Sequence, residues 1–333
     1  MSKRILSTMA LGVLLAFGCV AFAAAAPIVI KVGHVQPESD GMHQQWLFFK
    51  EQIEKRSNGE IQIQVHPNGE LGFERELTEA VQMGELPMIT ATTSPVASFV
   101  PDLFILDVPF SFNDRNDVWG ALDGELGKHL EKKMLEKGFV NLGFIENGFR
   151  NTTNNKQPIR KPEDLKGVKI RTMENPIHLT AWRALGANPT PMSYGEVFTA
   201  LQQGTIDGQE NPYAQISHMK FFEVQKYCTD TRHLYSVYIN FMNRDYFEKL
   251  SPEHQKLIKE VGREQALFQR KLAEELTDEA EKIIKDSGKT EMIYLTNEER
   301  AAFRIASGPA LKLVKERVSP EVVEIFSRLT GIK

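Results

Sequence analysis

Three segments between Asn147 and Pro212 hold the side chains of this 333-residue chain best suited to grip a ligand. They read Asn147-Gly-Phe-Arg150-Asn-Thr-Thr, Gly167-Val-Lys-Ile-Arg171-Thr-Met-Glu-Asn-Pro and Asp207-Gly-Gln-Glu-Asn211-Pro. In each, a turn or break follows strand-like residues, where an α/β protein places groups meant for a ligand. An arginine there offers a planar fork matched to a carboxylate, and an asparagine beside it can donate or accept to fix orientation. Arg171 ends an apolar strand, so its side chain either enters a cleft or clashes with a core. The chemistry implied is capture of a small organic anion.

Other residues modify that picture. Glu174 would repel an anion unless it pairs with Arg150 or Arg171 or receives a ligand hydroxyl. His34 closes the first strand, and Thr92-Thr93-Ser94 supplies hydroxyl groups that suit a sugar acid or hydroxy acid. C4-dicarboxylates, keto acids and aromatic acids stay open. Signals for catalysis and for resident metals are missing: the chain has no His-Glu-x-x-His, Gly-x-Ser-x-Gly, paired-cysteine zinc spacing or phosphate-cradling glycine loop. A secreted enzyme acting on an organic acid would need a base beside the arginines, and Glu174 is its one evident candidate. No cofactor is expected.

The elements that must position these groups alternate. Ile28–Gly33 reads as a strand, about Met42 to Lys55 as a helix with Trp46, Phe49 and Ile53 at helical spacing, and Glu60–His66 as a strand. Phe73–Met83 is a helix closed by Gly84, and Leu86–Thr92 a third strand. The order returns: strand Val168–Thr172, helix Pro176–Leu185, strand Asn188–Met192, a helix capped by Ser193 and running to Gln203, and strand Thr205–Gln209. Glu76-Leu-Thr-Glu-Ala-Val-Gln-Met-Gly84-Glu-Leu aligns with Glu196-Val-Phe-Thr-Ala-Leu-Gln-Gln-Gly204-Thr-Ile at an offset of 120. Two similar βαβαβ lobes follow, with a ligand cleft between the carboxyl ends of their strands. The offset makes Thr92 equivalent to Pro212, so Thr92-Thr93-Ser94-Pro95 should face Glu210-Asn211-Pro212. One long helix, from Ser251 to about Ser287, should span roughly 50 Å and brace both lobes. Its expected apolar stripe includes Leu257, Ile258, Val261, Leu267, Leu272, Leu276, Ile283 and Ile284, without the sustained heptad of a coiled coil.

Composition is that of a globular protein, with 41% hydrophobic and 25% charged residues, enough for a core and for two lobes. Lys3 and Arg4 precede an apolar run from Ile5 to Val20 and then Ala21-Phe22-Ala23, which reads as a secretory signal peptide over residues 1–26. Ala16-Phe17-Gly18 is a poor lipobox for Cys19. Cleavage removes two of the 40 basic residues and none of the 44 acidic ones, leaving 38 against 44, a net charge of −6. That balance, with no basic stripe, argues against nucleic acid. Cys228 is then the lone cysteine and reads as a buried, inert thiol.

Taken together, Val168-Lys-Ile-Arg171, Gly186-Ala-Asn-Pro-Thr-Pro-Met192, Glu196-Val, Ala200-Leu-Gln and Asp207-Gly-Gln-Glu-Asn-Pro212 resemble the solute-binding proteins of TRAP transporters, the DctP type. The resemblance covers nearly the whole mature chain. It implies an α/β, two-lobed periplasmic binding protein of class II-like architecture, with a hinge and a long helix bracing both lobes. The first lobe would comprise residues 27–147 and about 236–270, the second 148–235 and about 271–333. Such a protein works in the periplasm as a monomer, closes over an organic acid and delivers it to TRAP membrane permease subunits driven by a sodium gradient. In the family the arginine matching Arg171 forms the main salt bridge to the ligand carboxylate, and the asparagine matching Asn211 contacts the same end. The position of Arg150 often adds a second basic contact, and an aromatic at that of Tyr194 lines the pocket. The sialic-acid branch has an acidic residue where this chain has Thr92. An ABC-importer binding protein would share the clamp and the export signal, but the second-lobe motifs and the long helix argue against it.

Overall fold

Alternating β and α segments build the molecule, and a computed structural model describes residues 26–333. The apolar leader up to residue 25, with Cys19, lies outside the described residues. The first unit comprises β1 (Ile28–Gly33), α1 (Gly41–Arg56), β2 (Ile61–His66), α2 (Glu74–Met83) and β3 (Met88–Thr92). A helical stretch follows: α3 (Thr93–Val96), a 3-10 turn at Pro101–Asp107, α4 (Arg115–Leu122) and α5 (Glu125–Glu136). The long strand β4 (Phe139–Asn154) leads into the second unit of β5 (Lys169–Thr172), α6 (Pro176–Ala184), β6 (Asn188–Pro191), α7 (Val197–Gln202), β7 (Gly208–Asn211) and α8 (Tyr213–His218). The chain returns along β8 (Tyr227–Asn243) and ends with α9 (Arg244–Glu248), α10 (Pro252–Asp286), β9 (Glu291–Tyr294), α11 (Asn297–Ala306), α12 (Gly308–Arg317) and α13 (Pro320–Thr330).

The strands form one sheet in the order β2-β1-β3-β8-β4-β7-β5-β6, with β9 on β8. The order is symmetric about its centre. In each unit the first strand lies between the second and the third, with parallel pairing throughout. The repeat therefore reaches beyond residue identity to topology. It reaches hydrogen bonds as well: Glu85 and Leu86 donate their N–H groups to the Ala80 carbonyl, and Thr205 and Ile206 donate theirs to the Ala200 carbonyl, each 120 positions on. Gly84 and Gly204 sit at φ 78° and 69°, left-handed conformations in which a Cβ would be strained. The two lobes are joined by β4 and β8, which pair antiparallel along nearly their whole lengths and belong to both halves of the sheet.

Apolar spacing set the cores. Trp46, Phe49 and Ile53 of α1 are fully buried on Ile30, Val32, Ile61 and Ile63 of the first unit. Ile170, Trp182 and Leu185 gather with Ile293, Leu295 and Phe303 in the second. Cys228 is buried, and burial pushes its thiol well up.

The α10 helix runs 35 residues and packs on α1, β4 and α8. Its buried face keeps Ile258, Val261 and Ile284 of the expected apolar stripe but departs from it elsewhere. Leu267 and Ile283 face solvent, at 64% and 44% exposure, whereas Gln265 and Gln269 are buried. The reason is the backbone beneath, which takes hydrogen bonds at Gln45 of α1 for Gln265 and at Glu146 of β4 for Gln269. Gln269 accepts from the N–H of Glu146 and donates to its carbonyl, both at 2.8 Å, completing the strand as another strand would. Close approach needs Gly262, whose Cβ would meet the Leu142 carbonyl oxygen at 2.8 Å. No helix among the described residues is long and apolar enough to cross a membrane.

Three local expectations differ. The segment after Ser193 is a 3-10 turn (Tyr194–Glu196) running into the short α7, and Ser193 makes no side-chain cap bond. The third strand of the second unit starts later, at Gly208. Arg150 does not stand at a strand end: it lies inside β4, because the polar run Arg150–Asn154 finds buried partners on both β7 and β8.

The shared left-handed turn predicts matched costs. Gly84→Ala and Gly204→Ala should each lower the unfolding free energy by about 1–2 kcal/mol, measured by urea titration. A loss confined to one of them would mean that the two turns are not equivalent.

Candidate functional site

Where the two halves of the sheet meet, charged side chains are buried together. Arg171 projects from β5 and is only 3% exposed. Its Nε and Nη2 donate to the Met192 carbonyl at 2.9 and 2.7 Å, which fixes the plane of the guanidinium, while Nη1 donates to no described residue. Burial draws this guanidinium down to about 10, with the Glu210 carboxylate opposing the shift, so it stays cationic at neutral pH. The charged and phenolic groups nearest to it electrostatically are Glu210, Arg150, Glu74 and Tyr194.

Arg150 is already occupied. It forms a buried ion pair with Glu210, donates to both carboxylate oxygens and to the Glu210 carbonyl, and bonds the Asn211 side-chain oxygen at 3.0 Å. Burial opposes charge on Glu210, but Arg150 and His233 outweigh it and hold the carboxyl well below its usual range. Asn211 donates from Nδ2 to Gln209 Oε1 at 2.6 Å, so both its polar ends are committed within the protein. Arg150, Glu210, Asn211 and His233 thus form one buried network, whose charges lie within electrostatic reach of Arg171.

Glu74 lies at the first position of α2. Its Oε1 accepts both the N–H and the hydroxyl of Thr92, each at 2.7 Å. Burial raises its pKa against the pull of those bonds and of Arg171 and Arg150. Tyr194 points its hydroxyl into the interior, where it has no partner, and burial pushes the phenol well up. Tyr238 of β8 accepts from Gln36 at 2.7 Å and is coupled electrostatically to Glu74 and Tyr194. Glu74, Arg75 and Pro95 from the first unit and Arg171, Met173, Glu174, Met192, Ser193 and Tyr194 from the second line one cavity of about 20 Å³. That volume is on the order of a single water, so an organic acid needs the halves to part.

Of the residues singled out in sequence, Arg171, Tyr194 and Glu174 share this cavity, Arg150 and Asn211 are bonded to each other outside its lining, and Thr92 bonds Glu74. His34 is not among the residues lining that cavity. Its Nε2 meets His43 Nδ1 at 3.2 Å, its Nδ1 is buried without a partner, and burial followed by His43 lowers it to about 4. The expected meeting of Thr92–Pro95 with Glu210–Pro212 is replaced by other bonds. Ser94 accepts at its carbonyl from Asn175 (3.0 Å) and donates its hydroxyl to Asp107. Asp107 and Asn175, which caps α6, hold this contact between the units together.

Sequence reasoning missed Glu74 and Glu210. A signal for Glu74 existed, because adding the offset of 120 to 74 gives 194, the position of Tyr194. The same place in each repeat unit faces the same cavity. Glu210 stands inside the quoted Asp207–Pro212 motif, but nothing local marks it as the partner of an arginine sixty positions earlier.

A serine, a histidine and an aspartate also meet at Ser94, His178 and Asp107. This is not a nucleophile relay, in which the carboxylate and the hydroxyl bond opposite ring nitrogens. Here His178 Nε2 faces both Asp107 (3.0 Å) and Ser94 (3.3 Å), and Nδ1 is buried without a partner. A second contact between the units joins Asp40, the cap of α1, to His218 at the end of α8, with Nδ1 and Oδ2 2.6 Å apart. The bond from Asp40 raises the His218 pKa above its ordinary 6.5, against partial desolvation.

The sequence profile of the bacterial extracellular solute-binding proteins, family 7 (DctP), matches residues 32–317. The C4-dicarboxylate-binding periplasmic protein DctP of Rhodobacter capsulatus is 32% identical over 332 residues, 99% of each chain. The sugar acid binding protein DctPAm of Advenella mimigardefordensis, solved with galactonate, superposes with a TM-score of 0.88 at 32% identity, covering 92% of this chain and 98% of its own. A TRAP periplasmic solute binding protein of Shewanella oneidensis, solved with succinate, gives 0.88 at 31% identity, covering 92% and 100%.

Two outcomes follow from the buried charges. Glu210→Ala strands Arg150 in the interior and should cost roughly 3–5 kcal/mol in chemical denaturation, far more than an exposed carboxylate would. The Asp40–His218 contribution is complete below the ordinary His218 value of 6.5 and is lost as pH climbs through the raised one. The melting-temperature gap between wild type and His218→Gln should therefore be wider at about pH 5.5 than at about pH 8.5. A gap that widens with rising pH would contradict the pairing.

Proposed function

The chain belongs to the TRAP transporter solute-binding proteins of family 7, and from that membership we propose that it captures a small organic acid at Arg171 and delivers it to a TRAP membrane permease. The supporting observation is the state of the Arg171 guanidinium. It is buried at the contact between the two units, pinned by the Met192 carbonyl through two of its donors, with Nη1 left to a ligand. The family and the solved neighbours are substrate-binding proteins, and the relatives above are described as binding galactonate, succinate and C4-dicarboxylates, all of which carry a carboxylate.

The protein works as a hinged clamp. The hinge lies where β4 and β8 change register between Glu146 and Gly148, opposite Val237 and Ser236. That position supports a first lobe of residues 27–147 with about 236–270 and a second built on 148–235. The tail spans the division, because α12 packs on both α6 and Pro101–Asp107 and α13 packs on α5. The long helix α10 stays fixed to the hinge through Gln269 while the lobes part.

Binding energy limits what Arg171 can do alone. A buried charge-assisted bond contributes roughly 1.5–3 kcal/mol, whereas micromolar affinity requires about 8. Closure must add contacts from Glu74, Tyr194 and the apolar side chains of the seam. The ligand shifts the open–closed balance by its preference for the closed state. The apolar leader directs export to the periplasm, and the profile match begins at residue 32, beyond it.

In calorimetry with an acid found by thermal-shift screening, Arg171→Ala should abolish measurable binding while Arg171→Lys retains a weakened part. A ligand at 100 times its dissociation constant stabilises by about 2.7 kcal/mol, which makes such a screen readable. Near-wild-type affinity in a folded Arg171→Ala protein would overturn the assignment.

A further inference from the structure

The charges around the cavity sum to zero, and that sum limits which acid can enter. Arg150 and Glu210 neutralise each other completely within their network. Arg75 and Glu174, which also line the cavity, carry opposite charges, and Arg75 is exposed to solvent. The remaining pair is one guanidinium, Arg171, and one carboxylate, Glu74, each within electrostatic reach of the other. A ligand with one carboxylate brings one negative charge into a dry site that has one buried cation to meet it. A ligand with two brings a second charge for which the cavity offers, besides Arg171, only the solvent-exposed Arg75. A buried charge without a partner is costly, and like charges brought together add to the cost.

Glu74 is placed to enforce this. Both Thr92 donors bond Oε1, so the carboxylate cannot swing away, and Oε2 accepts from no described residue. The side chain also stands in the first turn of α2, where the helix dipole favours a negative group. An immobile carboxylate with a spare oxygen is an acceptor for an O–H donor and an obstacle to another carboxylate. The Tyr194 hydroxyl, buried without a partner on the same cavity, can donate or accept beside it.

We propose that Glu74, held by Thr92, is a specificity-determining residue that admits a monocarboxylate bearing hydroxyl groups and disfavours a dicarboxylate. The ligand carboxylate meets Arg171 and a hydroxyl meets Glu74 Oε2. This rests on the reading of Arg171 as the carboxylate partner and adds to it the class of acid selected.

Calorimetry on wild type and Glu74→Gln, with D-galactonate, D-erythronate and succinate as probes, decides the matter. Wild type should bind the tighter of the two hydroxy acids at least about tenfold better than succinate. In Glu74→Gln that ratio should shrink toward one, through gain on succinate, loss on the hydroxy acid, or both. Thr92→Val, which removes one of the two bonds to Oε1, should move the ratio the same way by less, and it serves if Glu74→Gln does not fold. Succinate bound by wild type as tightly as either hydroxy acid, or a ratio unchanged in the folded variants, overturns the inference while leaving carboxylate capture intact. Binding of all three that survives Arg171→Ala would instead overturn the capture reading, and this inference with it.

Discussion

A guanidinium taken out of water must be met by oxygen, and the seam of this molecule is arranged around two of them. Arg150 receives a carboxylate: its Nε and Nη2 donate to both side-chain oxygens and the carbonyl of Glu210 and to Asn211. Arg171 receives a single carbonyl, that of Met192, shared by two of its donors. The difference separates their roles. A buried cation paired with a carboxylate belongs to the scaffold, whereas Arg171 has no carboxylate partner among the described residues, which is why the proposed capture is assigned to it. Within the network beside Arg171, Glu210 already cancels the charge of Arg150.

Around those arginines the repeat supplies shape. Each unit ends its second helix at a left-handed glycine and opens that helix beside the cavity, with Glu74 in one unit and Tyr194 in the other. Duplication thus brought two equivalent positions to opposite walls of one site, and their divergence into a carboxylate and a phenol made the walls chemically unlike. The strands β4 and β8 pass through both units, so the lobes are coupled by a continuous pair of strands whose register shifts at three places. Bonds between Asp40 and His218 and from Asn175 to Ser94 and Asp107 join the two units.

Much of the scaffold was legible in one dimension. Trp46, Phe49 and Ile53 announced α1 by spacing, glycines ended helices where left-handed φ demanded them, and the offset of 120 announced two units. Failures came where polar side chains replaced a local rule. Arg150 looked like a strand end because a polar run follows it, yet β7 and β8 bury that run and the strand continues. The buried side of α10 carries Gln265 and Gln269 instead of Leu267 and Ile283, because the backbone it meets takes hydrogen bonds, at Gln45 of α1 for Gln265 and at Glu146 of β4 for Gln269.

Local order, the duplicated pattern and Arg171 as a candidate anion contact followed from the amino-acid order alone, because periodicity, turn chemistry and side-chain type act over a few residues. Which charges cancel was decided only by folding. Glu210 reaches Arg150 across sixty positions and Glu74 approaches Arg171 across nearly a hundred, and the energy of a buried charge depends on neighbours in space, not in sequence.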